Sequence, residues 1–134
     1  MKITSKGTHA VRIMTDIARN DNEFVSISDI SARQHISIKY LEQIMSLLAK
    51  KGLVESMRGV KGGYKLTREA SKISVKEILD ATGDITKIAN CVSGENCPMA
   101  DKCDTMGVWN ELTLLINDYL QSITLQKLLD KMKK

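Results

Sequence analysis

A mostly α-helical fold with a small β-hairpin wing and a long C-terminal helix is the class this sequence predicts. Three observations carry it. Aromatic residues are 4 % of the 134 and there is one proline, a balance that favours helices over a sandwich or barrel. Apolar residues recur at helical spacing through three early segments and one late one. Residues 53–66 break that period around a glycine-rich basic loop, as a hairpin does.

The first helix is expected to begin at Thr4 or Ser5, either of which can cap it. Ala10, Val11, Met14, Ile17 and Ala18 form its apolar stripe, and Asn20-Asp21-Asn22 ends it with turn formers. Ser26, with Asp29 three residues on, approaches a capping box and opens a short second helix with Ile27, Ile30 and Ala32 as apolar positions. A polar break, Gln34-His35, precedes Ile36 and Ser37. Ser37 can cap a third helix through Tyr40, Leu41, Ile44, Met45, Leu48 and Ala49. Lys50 and Lys51 suit its C-terminus, and Gly52 stops it. Two helices joined by a tight break, the second with a polar front, have the layout of a helix-turn-helix, which many helical hairpins share.

The segment after Gly52 narrows the choice. Leu53, Val54, Ser56, Met57 and Arg58 lead into Gly59-Val60-Lys61-Gly62-Gly63, and Tyr64-Lys65-Leu66 leads out. A hairpin directly after a helix-turn-helix is a wing, and Arg58, Lys61 and Lys65 on it suit phosphates or a narrow minor groove. Ser37, Lys39, Tyr40, Glu42 and Gln43 form the polar front of the third helix. A carboxylate there can accept from cytosine N4, and a glutamine can pair with adenine. The charge is distributed accordingly. Residues 1–80 carry 14 Lys and Arg against 9 Asp and Glu, while residues 81–134 carry 6 against 7. A basic first half beside a near-neutral second half suits a double-stranded DNA operator as partner.

Ser74-Val75-Lys76-Glu77 is a full capping box and opens a further helix through Ile78, Leu79 and Ala81, ended by Gly83. The last clear helix is expected from about Asp104 to Leu120. Val108, Leu112, Leu115 and Tyr119 fall on one seam, which Ile116, Leu120 and Ile123 widen. So broad an apolar face wants a cover, and pairing with a second copy as a two-fold homodimer suits a helix-turn-helix protein. The expected organisation is a winged helix-turn-helix over 1–83, a cysteine-bearing loop over 84–103, and a dimerisation helix with a C-terminal segment over 104–134.

The loop is spaced Cys91-x5-Cys97-x5-Cys103 with small, polar residues between. Three thiolates can hold an iron–sulfur cluster or zinc. Structural zinc sites pair cysteines about two to four residues apart, which even spacing of five matches poorly. Three free thiols are the plain alternative. No stretch approaches the roughly 18 consecutive apolar residues of a membrane span, and Met1-Lys2-Ile3-Thr4-Ser5-Lys6-Gly7 lacks a signal peptide's apolar run, so the expected compartment is the cytoplasm. An odd cysteine count argues against a disulfide framework. The sequence shows no nucleophile–base set, no phosphate loop opening a helix and no second metal motif, so an enzyme is not expected.

These residues resemble the IscR-type winged-helix regulators, whose relatives include NsrR and CymR. The resemblance runs over nearly the whole chain. Its specific parts are the opening Met1 to Gly7, the run Ser37-Ile38-Lys39-Tyr40-Leu41-Glu42-Gln43, and the stretch from Gly52-Leu53-Val54 through Arg58-Gly59-Val60-Lys61-Gly62-Gly63-Tyr64. The cysteine loop followed by Trp109 and the late Ser122-Ile123-Thr124-Leu125 also match. The resemblance implies a homodimer on palindromic operators, tuned by an iron–sulfur cluster with Cys91, Cys97 and Cys103 as ligands, of the 2Fe–2S in preference to the 4Fe–4S type. In IscR a histidine three residues after the last cysteine completes the site; here that position is Met106. Some relatives borrow a ligand from the partner's first helix, which makes His9 a candidate fourth ligand. CymR-like relatives lack the cysteines and respond to a partner protein. A cluster-free regulator controlled by a partner or zinc is therefore the alternative, and an iron–sulfur electron carrier a more distant one.

Overall fold

The computed structural model describes residues 3–20, 23–59, 62–84 and 105–132. Helix α1 (Ser5–Arg19) starts at Thr4, whose hydroxyl accepts from the Gly7 N–H at 3.0 Å, and its last turn carries Arg19, favourable to the helix dipole. Helix α2 (Ile27–Gln34) is capped by Ser26, which accepts from Asp29 N–H at 3.1 Å; only this half of the expected box forms. His35 then turns the chain in the left-handed region, φ 55°, and Ser37 caps helix α3 (Ile38–Lys50) by accepting from Tyr40 N–H. The turn between the two helices is thus a short polar break closed by a second cap, as the sequence predicts.

Strands β1 (Val54–Met57) and β2 (Gly63–Leu66) pair antiparallel, with Val54 opposite Leu66 and Met57 opposite Gly63. Val25 adds a one-residue third strand: it exchanges two 2.8 Å backbone hydrogen bonds with Tyr64. That approach depends on Gly63. Its φ is 147°, and a Cβ there would collide with the Val25 carbonyl. A 3₁₀ turn (Ala70–Lys72) leads to helix α4 (Val75–Ala81), where Ser74 and Glu77 form both halves of the capping box.

Helix α5 (Met106–Ser122) packs on α4. At Ile123 the chain becomes extended and pairs with the residues ahead of α4: Val75 N–H donates to Ile123 O at 2.8 Å and Leu125 N–H to Ile73 O at 3.0 Å. Ile123 therefore leaves the helix and does not widen its seam, correcting that expectation. A final helix, α6 (Leu125–Met132), starts where the Thr124 hydroxyl accepts from Lys127 N–H, and it lies on α1. This helix is not among those expected from the sequence.

One core joins all of this. Ile13, Met14 and Ile17 of α1 pack with Ile30 of α2, and with Leu41, Ile44, Met45 and Leu48 of α3. Leu53, Ile73, Ile78 and Leu125 complete the cluster, all essentially unexposed. Leu125 thus ties the C-terminal segment into the winged domain. Ala32 and Ala49, read as apolar positions, are exposed, and Ile13, not read as one, is fully buried.

Candidate nucleic-acid interface

Helix α3 buries Leu41, Ile44, Met45 and Leu48 and turns Ser37, Ile38, Lys39, Glu42, Gln43 and Ser46 to solvent. Core burial on one stripe sets which side chains can reach a base edge on the other. Between this face and the hairpin lies a groove of about 630 Å³, walled by Ser26 and Ile27 of the α2 start, Glu42 of α3, and Arg58 and Tyr64 of the wing. A carboxylate and a guanidinium from different elements thus border one concave surface. Ile38, 46 % exposed, puts an apolar side chain on this face that the sequence reading does not assign.

The other predicted contacts are placed differently. The Ser37 hydroxyl is committed to capping. Tyr40 is half-buried; its hydroxyl lies 3.4 Å from His9 Nδ1 and the two rings meet edge to face at 5.5 Å. Two residues read separately, one as a DNA contact and one as a ligand, are neighbours. Lys65 alternates with Tyr64 along β2, so it points away from the groove. Its ammonium sits 5.9 Å above the Phe24 ring. Lys61 and the cysteines Cys91, Cys97 and Cys103 lie outside the described residues.

A polar network ties α2 to α1. The Asp16 side chain on α1 is fully buried and accepts from Arg33 Nε and Nη2 and from Gln34 Nε2, at 2.6–3.2 Å. Burial alone would raise its carboxyl. The Arg33 and Gln34 hydrogen bonds and the charges of Arg33 and Arg19 outweigh this, and hold it below the ordinary carboxylate value of 3.8. Arg12 donates to the Gln34 amide oxygen and carbonyl at 3.2 and 2.9 Å. Four charged or amide side chains thus pin α2 to α1, one residue before the His35 turn. The signal for this is weak in sequence, because an Asp on an apolar helix face meets its partner 17 residues away.

Asp84 closes the domain. Its carboxylate accepts from Thr4 N–H at 3.0 Å and from the Thr4 hydroxyl at 2.7 Å, and a Cβ on Gly7 would overlap it. On α5, Val108, Leu112, Leu115 and Tyr119 are 56, 37, 66 and 61 % exposed, as is the neighbouring Leu114 at 62 %. Thr113 is buried and Ile116 and Leu120 are half-buried, on the inward side. No helix among the described residues is long and apolar enough to cross a membrane.

Known proteins share this arrangement. The family described as Rrf2, iron-dependent transcriptional regulator, matches residues 3–131. An HTH-type transcriptional regulator of Haemophilus influenzae is 46 % identical over 132 residues, 98 % of this chain and 88 % of that protein. The regulator IscR of Xenorhabdus nematophila is 43 % identical over 96 % of this chain and 79 % of its own length. Among solved structures, IscR of T. potens superposes with a TM-score of 0.76 at 34 % identity, covering 98 % of this chain and 88 % of that one. CymR, the global cysteine regulator of B. subtilis, gives 0.78 at 29 %, covering 96 % and 95 %. With the exposed face of α3 set beside a basic wing, these matches establish a DNA-binding transcriptional regulator and not an enzyme: the chain belongs to the Rrf2 family.

Proposed function

We propose that this regulator acts in the cytoplasm as a homodimer on a palindromic operator, and that an iron–sulfur cluster on Cys91, Cys97 and Cys103 tunes its affinity. The observation that carries the DNA-reading half is the groove in which Glu42 and Arg58 converge. Glu42 and Gln43 read base edges, Ile38 meets a thymine methyl, and Lys39, Arg58 and Lys61 take phosphates, with Ser37 and Tyr40 at the start of the reading helix, while Lys65 is set apart from them over Phe24. The seam of Val108, Leu112, Leu115 and Tyr119 pairs with its copy, which spaces two α3 helices for successive turns of DNA.

The cluster half is supported by donor chemistry. Three thiolates are the ligands an iron–sulfur cluster takes, and the relatives include proteins named IscR within a family described as iron-dependent. When bound, the cluster supplies a centre that oxygen, nitric oxide or iron supply can alter. The protein's part is to hold it with three thiolates and a weaker fourth donor. Met106 stands where IscR has histidine, so the fourth ligand is another group, His9 from the first helix being a candidate. A 2Fe–2S type fits three thiolates and one other donor. The segment holding the cysteines continues directly from Asp84, which is bonded to the start of α1. A change of ligation there therefore reaches the helix that supports the reading head.

The test is an anaerobic absorption spectrum with iron and sulfide analysis, followed by operator titration of cluster-bearing and cluster-free protein. Visible absorption that disappears in Cys91→Ala, Cys97→Ala or Cys103→Ala, and persists in Met106→Leu, is the expected result. A colourless protein after reconstitution with iron and sulfide overturns the cluster. It would favour the cluster-free reading that the likeness to CymR supports.

A further inference from the structure

A cavity of about 400 Å³ lies where α6 rests on α1, and it shares no lining residue with the reading groove. Its size is at the low end of small-molecule sites. Its walls are Val11 and Thr15 of α1, Gln34 at the end of α2 and Leu128 of α6. The Thr15 hydroxyl is spent on the Val11 carbonyl at 2.7 Å, so it adds little polarity to the wall. The rim is of one sign: Arg12, Arg19 and Lys131 border it, and no acidic side chain among the described residues does. An apolar well under three cations selects for an anion with an apolar body.

We propose that this cavity is an effector site for a small amphipathic carboxylate, its chain against Val11 and Leu128 and its head group between Arg12 and Lys131. The coupling route is short. Arg12 holds the amide oxygen and carbonyl of Gln34, the last residue of α2, and Gln34 also donates to Asp16. A carboxylate at the rim competes with Gln34 for Arg12. It loosens the end of α2 directly before the His35 turn into α3, and so weakens operator binding. This coupling rests on α3 as the reading helix, which operator titration of the ligand-free protein tests first and separately.

The probe is sodium octanoate added to the full-length protein, with acetate as the head group alone and octylamine as the same chain with a cationic head. Methyl resonances of Val11 and Leu128 are expected to shift saturably with octanoate and not with acetate or octylamine. Lys131→Glu, an exposed position that leaves the fold intact, is expected to weaken the binding severalfold, and Val11→Phe to fill the well. Octanoate is expected to lower operator affinity about fivefold or more in the native protein, and not in Lys131→Glu. Equal response to octylamine, shifts centred on α5 instead of α1 and α6, or no saturable shift overturns the site. Saturable binding with unchanged operator affinity overturns its role as an effector site.

Discussion

Asp16 shows how much one buried carboxylate can decide. It has no exposure, yet it stays ionised because three donors converge on it. Its folded carboxyl titrates below 3.8, so the stability it contributes is fully present above that value and is lost as pH falls through the lowered one. Asp16→Asn is expected to cost about 1.5–3 kcal/mol at neutral pH, the range for hydrogen bonds to a charged group. It should also flatten the fall of stability on the acid side of 3.8, which denaturant titrations across pH would show. On α3, Glu42→Ala is expected to relax base preference more than it weakens overall binding, by about 1–3 kcal/mol of discrimination at one base pair. Arg58→Ala is expected to weaken binding to many sequences alike and reduce the salt slope by about one. Operator titrations at several salt concentrations, against matched and single-base variants, separate the two. Unchanged discrimination in Glu42→Ala would remove Glu42 from base readout.

At the scale of elements, local chemistry is legible in the sequence and partnerships are not. Thr4, Ser26, Ser37 and Ser74 cap the helices their positions announce, because a hydroxyl or carboxylate cap acts within three residues. Helix α6 escapes notice although Thr124, Leu125, Leu128 and Leu129 are a cap followed by a helical stripe. A helix of eight residues is not stable by itself in water, and what stabilises this one is its bed on α1. Leu125 is completely buried in the winged-domain core. Leu125→Ala is therefore expected to destabilise the whole protein by about 2–5 kcal/mol, as a core deletion does. A separable tail would give no change in the global unfolding transition.

For the whole molecule, the exposed α5 face is the feature that a single chain leaves unsatisfied. Leu114 and Leu115, at 62 and 66 % exposure, are a poor surface for a monomer in water. Replacing Leu112 and Leu115 together by Asp is expected to give monomers by sedimentation with little operator affinity, since each monomer retains only one half-site contact set. In the proposed dimer the two α3 helices should serve half-sites about 34–36 Å apart, or a multiple of that spacing, which footprinting on spaced palindromes measures. A double variant that remains dimeric would place the interface elsewhere.

Composition, caps, period changes and the glycine-rich basic hairpin are enough to specify a winged helix-turn-helix and the polar front of its third helix. Each of those signals acts over a few residues along the chain. The tertiary structure alone decided that Glu42 and Arg58 border one groove, that His9 stands against Tyr40, and that Lys65 turns toward Phe24. It likewise decided that Asp84 locks the first turn of α1 and that α6 returns to the core. These arrangements bring together residues 16 to more than a hundred positions apart. Their partners are chosen by the packing of one shared core, and no local pattern records which distant side chain that packing will bring alongside.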